Sequence, residues 1–364
     1  MSLYNKLTEV IGRVSYDIVS KERRDELVTL AENVLGDLRY GWKASIDNFC
    51  MQLETNSPHL YEFWIENWFA EKREARSHGR IYAVLDRDFD EGRAHAYYNP
   101  ETKTAILFNT EYYGQCKSWA LGIICDIAED QHDIHSVHGS CVEIDGQGIV
   151  LIAPTGTGKS THSYALLKMK GARIHSDDWL YVRFIGRASA EISERKFYLR
   201  TNIVRVFPEI RPLLDRCKLE NVKALSPEEI NCLKETLAEK ELLRMIRDPY
   251  IAHEYSRAML DPRWIAGLSK FVDTTRVKKV LLLERNRNNP EPVKKMEIED
   301  AVQYLEKHPK EQYLNPYLIV RTPEKVNVRN RFFRRLFQFA TPYLVNTFEP
   351  VGKVQKAIRS IIKK

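Results

Sequence analysis

The spacing of apolar positions changes several times along the chain. Over residues 1–75 it is helical, most plainly where Leu60, Trp64 and Trp68 fall at i, i+4 and i+8. That aromatic stripe reads as core. After Arg80 the pattern shortens, and residues 81–85, 94–98 and 104–109 read as strands. The last two are joined by the turn segment Asn99-Pro-Glu-Thr-Lys103. Residues 116–129 return to helical spacing through Trp119, Ile123, Ile124 and Ile127, which places a boundary near Gln115.

Residues 135–144 read as one strand and Asp145-Gly-Gln-Gly148 as a tight turn. Residues 149–153 are wholly apolar, the mark of a strand buried on both faces. A helix is expected to open at Lys159 and run through Ala165, Leu166 and Met169 to Gly171, a residue suited to ending it. Residues 173–176, 179–184 and 277–283 supply further strand candidates, with Asp177-Asp178 between the first two. The end of the chain is helix-rich and basic: Arg329, Arg331, Arg334 and Arg335 interleave with Phe332, Phe333, Leu336 and Phe337. In the final helix Val351, Val354, Ile358 and Ile361 share one face among lysines. Such a helix is expected to dock on its own domain rather than meet a membrane surface or an RNA. The resulting scheme is an α/β chain in three parts. An α+β domain spans 1–115, a core 116–290 and a basic helical segment 291–364.

With 364 residues, 43% apolar and 29% charged, the chain has ample material for a buried core. No run approaches the about 18 apolar residues of a membrane span, and the opening residues lack a signal-peptide pattern. A cytoplasmic protein is therefore expected. Cys50, Cys116, Cys125, Cys141, Cys217 and Cys232 are scattered without a C-x-x-C pair, so they read as buried thiols rather than a disulfide frame or zinc cage. The net charge of +6 suits an anionic small substrate and does not by itself argue for nucleic acid.

The chemistry concentrates between residues 149 and 178. Ile149-Val-Leu-Ile-Ala-Pro-Thr-Gly-Thr-Gly-Lys-Ser160 is strand, loop and helix start in the order a phosphate-binding loop requires. Gly156 and Gly158 let successive backbone N–H groups turn inward, and the helix N-terminus adds its unpaired donors and dipole. Thr155, Gly156, Thr157, Gly158, Lys159, Ser160 and Thr161 are the expected nucleotide-binding residues. Lys159 reaches the β- and γ-phosphates, and the Ser160 hydroxyl suits Mg²⁺. Ala153 stands where the motif ordinarily has its first glycine, a position that closes the strand and tolerates a small side chain. In Asp177-Asp178, one carboxylate can hold Mg²⁺ and the other accept a proton from an attacking hydroxyl, with the assignment open. Among His132, His135 and His138, three-residue spacing on a strand does not converge on one face, which argues against a three-histidine metal site. Arg200, Arg205, Arg257 and Arg263 are candidates to stabilise charge on a transferring phosphoryl group.

His138-Gly-Ser, a strand, Thr155-Gly-Thr-Gly-Lys-Ser-Thr-His-Ser163 and Ser176-Asp-Asp178 together resemble the HPr kinase and phosphoenolpyruvate carboxykinase superfamily. The resemblance covers about residues 136–182. It extends to Glu194-Arg-Lys-Phe-Tyr-Leu-Arg-Thr201, which resembles a carboxykinase segment. Ser256-Arg-Ala-Met-Leu-Asp-Pro-Arg-Trp264 resembles a motif of uncharacterised HPr kinase-related proteins. It implies a P-loop core with a mostly antiparallel or mixed sheet, and ATP with Mg²⁺, Mn²⁺ being the alternative. By the resemblance, Lys159 binds phosphates, Ser160 the metal, and Asp177 and Asp178 serve as metal ligand and proton acceptor. His138 falls at a histidine that ligates a second metal in carboxykinases and lies by the reacting phosphate in HPr kinases. Thr161 departs from the glutamate of HPr kinases and matches the hydroxyl residue of carboxykinases.

The resulting expectation is a Mg²⁺-dependent, ATP-binding kinase of the HPr kinase-like type, acting on a hydroxyl of a small molecule or protein. The alternatives are a phosphoenolpyruvate carboxykinase-like lyase and a non-catalytic nucleotide-binding regulator. A homo-oligomer is compatible with either.

Overall fold

The short-period pattern after residue 80 does produce strands, Gly79–Val84, His95–Asn99 and Thr104–Phe108. The computed structural model describes residues 4–9, 14–154, 156–307 and 322–363. The chain divides into two compact units. One comprises Met1–Ser45, Cys50–Lys117 and Arg195–Ile265, the other Ile46–Phe49, Ser118–Glu194 and Ala266–Lys364.

The first unit contains a seven-stranded sheet in the order Ser15–Ile18, His95–Asn99, Thr104–Phe108, Gly79–Val84, Phe49–Thr55, Tyr40–Ile46, Phe69–Ala70. Helix Lys21–Leu35 lays Leu27, Ala31 and Leu35 against Tyr82, Val84, Ile106 and Phe108 of that sheet. A smaller sheet joins Asn5–Lys6, Lys218–Glu220, Arg257–Leu260 and Phe197–Arg200. Leu60, Trp64 and Trp68 are buried as expected; helix Pro58–Asn67 starts with proline in its first turn, capped by Ser57.

The helical reading of residues 1–75 is corrected at the short strands Asn5–Lys6, Ser15–Ile18 and Phe69–Ala70 and at the longer pair Tyr40–Ile46 and Phe49–Thr55. Asp47 and Asn48 between them both take positive φ, 49° and 65°, the geometry of a two-residue hairpin turn. Backbone pairing across that turn outweighs the loose helical spacing of the apolar residues.

The second unit is built on a nine-stranded mixed sheet. Its main path runs Ala172–Ser176, Ser140–Ile144, Gln147–Ile152, Thr274–Glu284, Ala188–Ile192, Trp179–Phe184, His135–His138. The long strand Thr274–Glu284 pairs in parallel with Gln147–Ile152 on one side and with Thr341–Asn346 on the other; Ala188–Ile192 crosses its first residues antiparallel. Ile149, Val150, Leu151 and Ile152 are buried, in keeping with an interior strand. Helices Ile298–Glu306 and Pro323–Phe339 cover one face through Ala301, Val302, Leu305, Phe332, Phe333, Leu336 and Phe337. Arg329 is fully buried on the second helix, where it pairs with Glu129 and donates to the Ser136 carbonyl at 2.8 Å. The final helix, Val351–Ile362, buries Val354 and Ile358 in its own unit, so the basic amphipathic end does dock.

Two local expectations change. Residues 135–144 are two strands broken at Gly139, where a Cβ would lie 2.8 Å from the Leu151 carbonyl oxygen. Up to His138 the chain pairs with Trp179–Phe184; from Ser140 it pairs with Gln147–Ile152 and Ala172–Ser176. The helix opening at Lys159 ends at Leu166, short of Gly171, whose positive φ of 76° belongs to the following turn. Among the described residues no helix is long and apolar enough to cross a membrane. Among the described residues the six cysteines form no disulfide; five are buried and Cys232 is exposed.

Candidate functional site

Two crossings between non-adjacent strands of the second unit meet at one place. Gly139 carries the chain from one end of the strand order towards the other, and Asp177-Asp178 does the same between Ala172–Ser176 and Trp179–Phe184. The Gly139 N–H donates to the Asp178 carbonyl oxygen at 3.0 Å and stitches them together. His138 is thereby set beside Asp178, with its Nε2 3.1 Å from the carboxylate Oδ1.

The glycine-rich loop arrives from the interior strand Gln147–Ile152. Gly156 and Gly158 hold φ of 85° and 94°, a region closed to most side chains. Thr157 folds back, donating from both its N–H and its hydroxyl to the Pro154 carbonyl oxygen at 3.2 and 2.7 Å. Gly158 is the N-cap of helix Lys159–Leu166 and offers no side-chain cap, so the first-turn N–H groups have no side-chain acceptor there. Lys159 Nζ lies 2.9 Å from Asp178 Oδ1, the same oxygen that faces His138. Lys159, Asp178 and His138 therefore converge, although 19 and 40 residues separate the two partners from Asp178.

Asp177 is placed differently. It is buried, and its Oδ1 has no hydrogen-bond partner among the described residues. Burial pushes its carboxyl up to about 6; Lys159 opposes the rise, Asp178 and buried Glu194 add to it, and the Ser160 side chain lowers it. An orphaned, buried carboxylate oxygen near a hydroxyl fits a hard divalent cation that would complete its shell with water and phosphate oxygens. Among the described residues no group of three or more His, Cys, Asp or Glu could hold a metal.

Gly156, Thr157, Gly158, Lys159, Ser160 and Thr161 lie on one loop and helix start, Thr161 half-buried, while Thr155 lies outside the described residues. His132 and His135 do not join the cluster: His132 packs edge-on to Phe49, and His135 stacks on Phe332 at 4.5 Å between Glu129 and Asp133. Arg205 pairs with Glu241 and Arg263 with Asp261, while Arg257 donates to the Glu254 and Ser256 carbonyls; these contacts, like residue Arg200, are inside the first unit.

The contacts of three supporting residues were not foreseen. Ser163 donates to the Lys159 carbonyl at 2.9 Å and bonds to the Ser140 hydroxyl, tying the helix to the strand after Gly139. Gln355 reaches His162, and Arg359 donates to the Ala165 carbonyl at 3.2 Å. The signal was present for Gln355: it is a polar residue at the i+4 position of the Val351, Val354, Ile358 stripe.

No family model matches the chain. The chain is similar to the HPr kinase/phosphorylase of Chlorobium phaeovibrioides, 32% identical over 142 residues, 38% of this chain and 39% of that protein. It is also similar to that of Chlorobium luteolum, 31% identical over 153 residues and 42% of each. A third, from Chlorobium chlorochromatii, is 33% identical over 104 residues, 28% of this chain and 29% of the relative. The chain thus spans about two fifths or less of the length of the curated relatives it matches. The solved HPr(Ser) kinase/phosphatase from Coxiella burnetii is 11% identical with a TM-score of 0.32, over 63% of this chain and 88% of that one.

Proposed function

We propose, on the premise that this is an HPr kinase-related chain, that it is an ATP-dependent phosphotransferase acting on a hydroxyl. The observation that carries the reading is the convergence of Lys159, Asp178 and His138 at the mouth of the glycine-rich loop. On this reading the HPr kinase-like P-loop core expected over residues 116–290 is carried by the second unit, which holds Ser118–Glu194 and Ala266–Lys364.

The loop N–H groups and the N-terminus of helix Lys159–Leu166 would bind the triphosphate. Lys159 would exchange Asp178 for phosphate oxygens, leaving the Asp178 carboxylate to accept the proton of the attacking hydroxyl. The acceptor oxygen forms its bond to the γ-phosphorus as the bond to the bridging oxygen breaks, and the proton passes to Asp178. His138 keeps Asp178 oriented from the other side. Asp177 and Ser160 would hold Mg²⁺, which would neutralise charge on the phosphates. Asp178 suits the base because its side chain is 28% exposed and reachable, whereas Asp177 is buried. The relatives' name makes a protein hydroxyl the first acceptor to try and a small-molecule hydroxyl the second.

The test is transfer of labelled γ-phosphate from ATP with Mg²⁺ into protein and small-molecule fractions of a lysate. Wild type should label one fraction, and Lys159→Ala and Asp178→Asn should lose the label by at least about a hundredfold. Wild-type transfer by Lys159→Ala would refute the assignment.

A further inference from the structure

The last helix of the chain, Val351–Ile362, packs on helix Lys159–Leu166 with Val354 and Ile358 buried. Gln355 lies in that buried face, 5% exposed. Its side-chain nitrogen is 2.9 Å from His162 Nδ1 and 3.2 Å from the His162 carbonyl oxygen. A carbonyl oxygen only accepts, so the amide must turn its NH₂ to this corner and not its oxygen. The second hydrogen of that NH₂ then goes to Nδ1, which is therefore an acceptor, and the ring proton sits on Nε2.

The opposite edge of the ring faces the loop. A Cβ at Gly158 would meet His162 Cδ2 at 3.3 Å and Nε2 at 3.5 Å. The His162 backbone N–H donates to the Gly158 carbonyl at 2.9 Å. The backbone bond is the first of the helix, and the His162 ring borders the space a side chain would take at Gly158, whose φ is a left-handed 94°; His162 is in turn held by Gln355.

We propose that Gln355 is a positioning residue for the nucleotide site: it fixes the tautomer and the seat of His162, and His162 braces Gly158 of the glycine-rich loop. This deepens the kinase reading and rests on the loop being a nucleotide site. The two contacts join residues 193 positions apart, so the end of the chain sets the geometry of its centre. A loop whose N–H groups must match phosphate oxygens gains from such bracing, because misdirected donors lose both binding and transition-state contacts.

The test compares full-length wild type with Gln355→Leu, Gln355→Met and Arg359→Ala. Arg359 also bonds across the same two helices but contacts Ala165, about two turns from the loop, and serves as the control. Nitrogen-15 spectra of the nucleotide-free protein report the His162 tautomer and the Gly158 amide, and titration with Mg·ADP reports affinity. Both Gln355 variants should mix the His162 tautomers, move the Gly158 amide and weaken Mg·ADP about tenfold. Arg359→Ala should leave all three near wild type. The proposal is overturned if a folded Gln355 variant keeps the wild-type tautomer and Gly158 shift, or if Arg359→Ala disturbs Gly158 equally. Absence of Mg·ADP binding by wild type would count against the nucleotide reading, while the spectra still decide the brace. If Gln355→Leu does not fold, the unbranched and flexible Gln355→Met carries the comparison.

Discussion

Asp177→Asn should make the protein more stable at neutral pH while removing its proposed chemistry. Burial raises the Asp177 carboxyl from 3.8 to about 6 in the fold. Between those values the folded protein keeps a proton that the unfolded chain has released. Stability therefore falls as pH climbs from about 4 to about 6 and is level above that. The rise corresponds to about 3 kcal/mol at 1.36 kcal/mol per pKa unit, all of it expressed above pH 7 and none below about pH 4. Asparagine carries no charge to desolvate, but its amide must find partners where Oδ1 now has none, which returns about 1 kcal/mol. The net expectation is a gain of about 1–3 kcal/mol near pH 8 and no gain near pH 4. Urea unfolding of both proteins across that range, without nucleotide or divalent cation, reads it directly. A variant no more stable than wild type near pH 8, or a gain that ignores pH, would refute the account of Asp177 as a strained carboxylate awaiting a cation. Adding Mg·ATP should then reverse the order, because only wild type has the carboxylate to engage it.

The same carboxyl predicts the pH dependence of binding: Mg·nucleotide affinity should rise by about tenfold per pH unit up to about 6 and flatten above, with Asp177→Asn removing the slope in calorimetric titrations. Gly158→Ala forces a Cβ into a φ of 94° against the His162 ring, so it should cost about 1–2 kcal/mol in thermal unfolding and weaken nucleotide binding more than its stability loss explains. Glu129 and Arg329 are both fully buried; although burial pushes the Glu129 carboxyl up, Arg329 and His135 bring it below its ordinary range. Arg329→Ala should therefore cost about 3–5 kcal/mol in urea unfolding, and the double variant with Glu129→Gln less than the sum.

The local elements around the site were legible because their causes are local. Residues 149–152 are too apolar for an edge, and the observed strand is interior. The glycines of the loop announce positive φ, and both adopt it. Where the sequence pattern failed, a competing pairing had won. Tyr40–Thr55 carries apolar residues that suit either period, and the Asp47-Asn48 turn decides for strands. Residues 135–144 look continuous because Gly139 leaves no gap in the apolar run, yet its close approach to Leu151 lets the chain change partners there.

By itself the sequence determined which residues could do chemistry: a strand, a glycine loop, a lysine at a helix start and a pair of aspartates, all set by short-range geometry and side-chain type. Their division of labour needed the tertiary structure. Sheet register and the stitch from Gly139 to Asp178 bring His138, Lys159 and Asp178 onto one oxygen, while Asp177, one residue away, is buried with one oxygen unpartnered among the described residues. Burial and long-range contact depend on the whole packed unit, which is why Asp177 and Asp178, alike in sequence, differ in exposure and in partners.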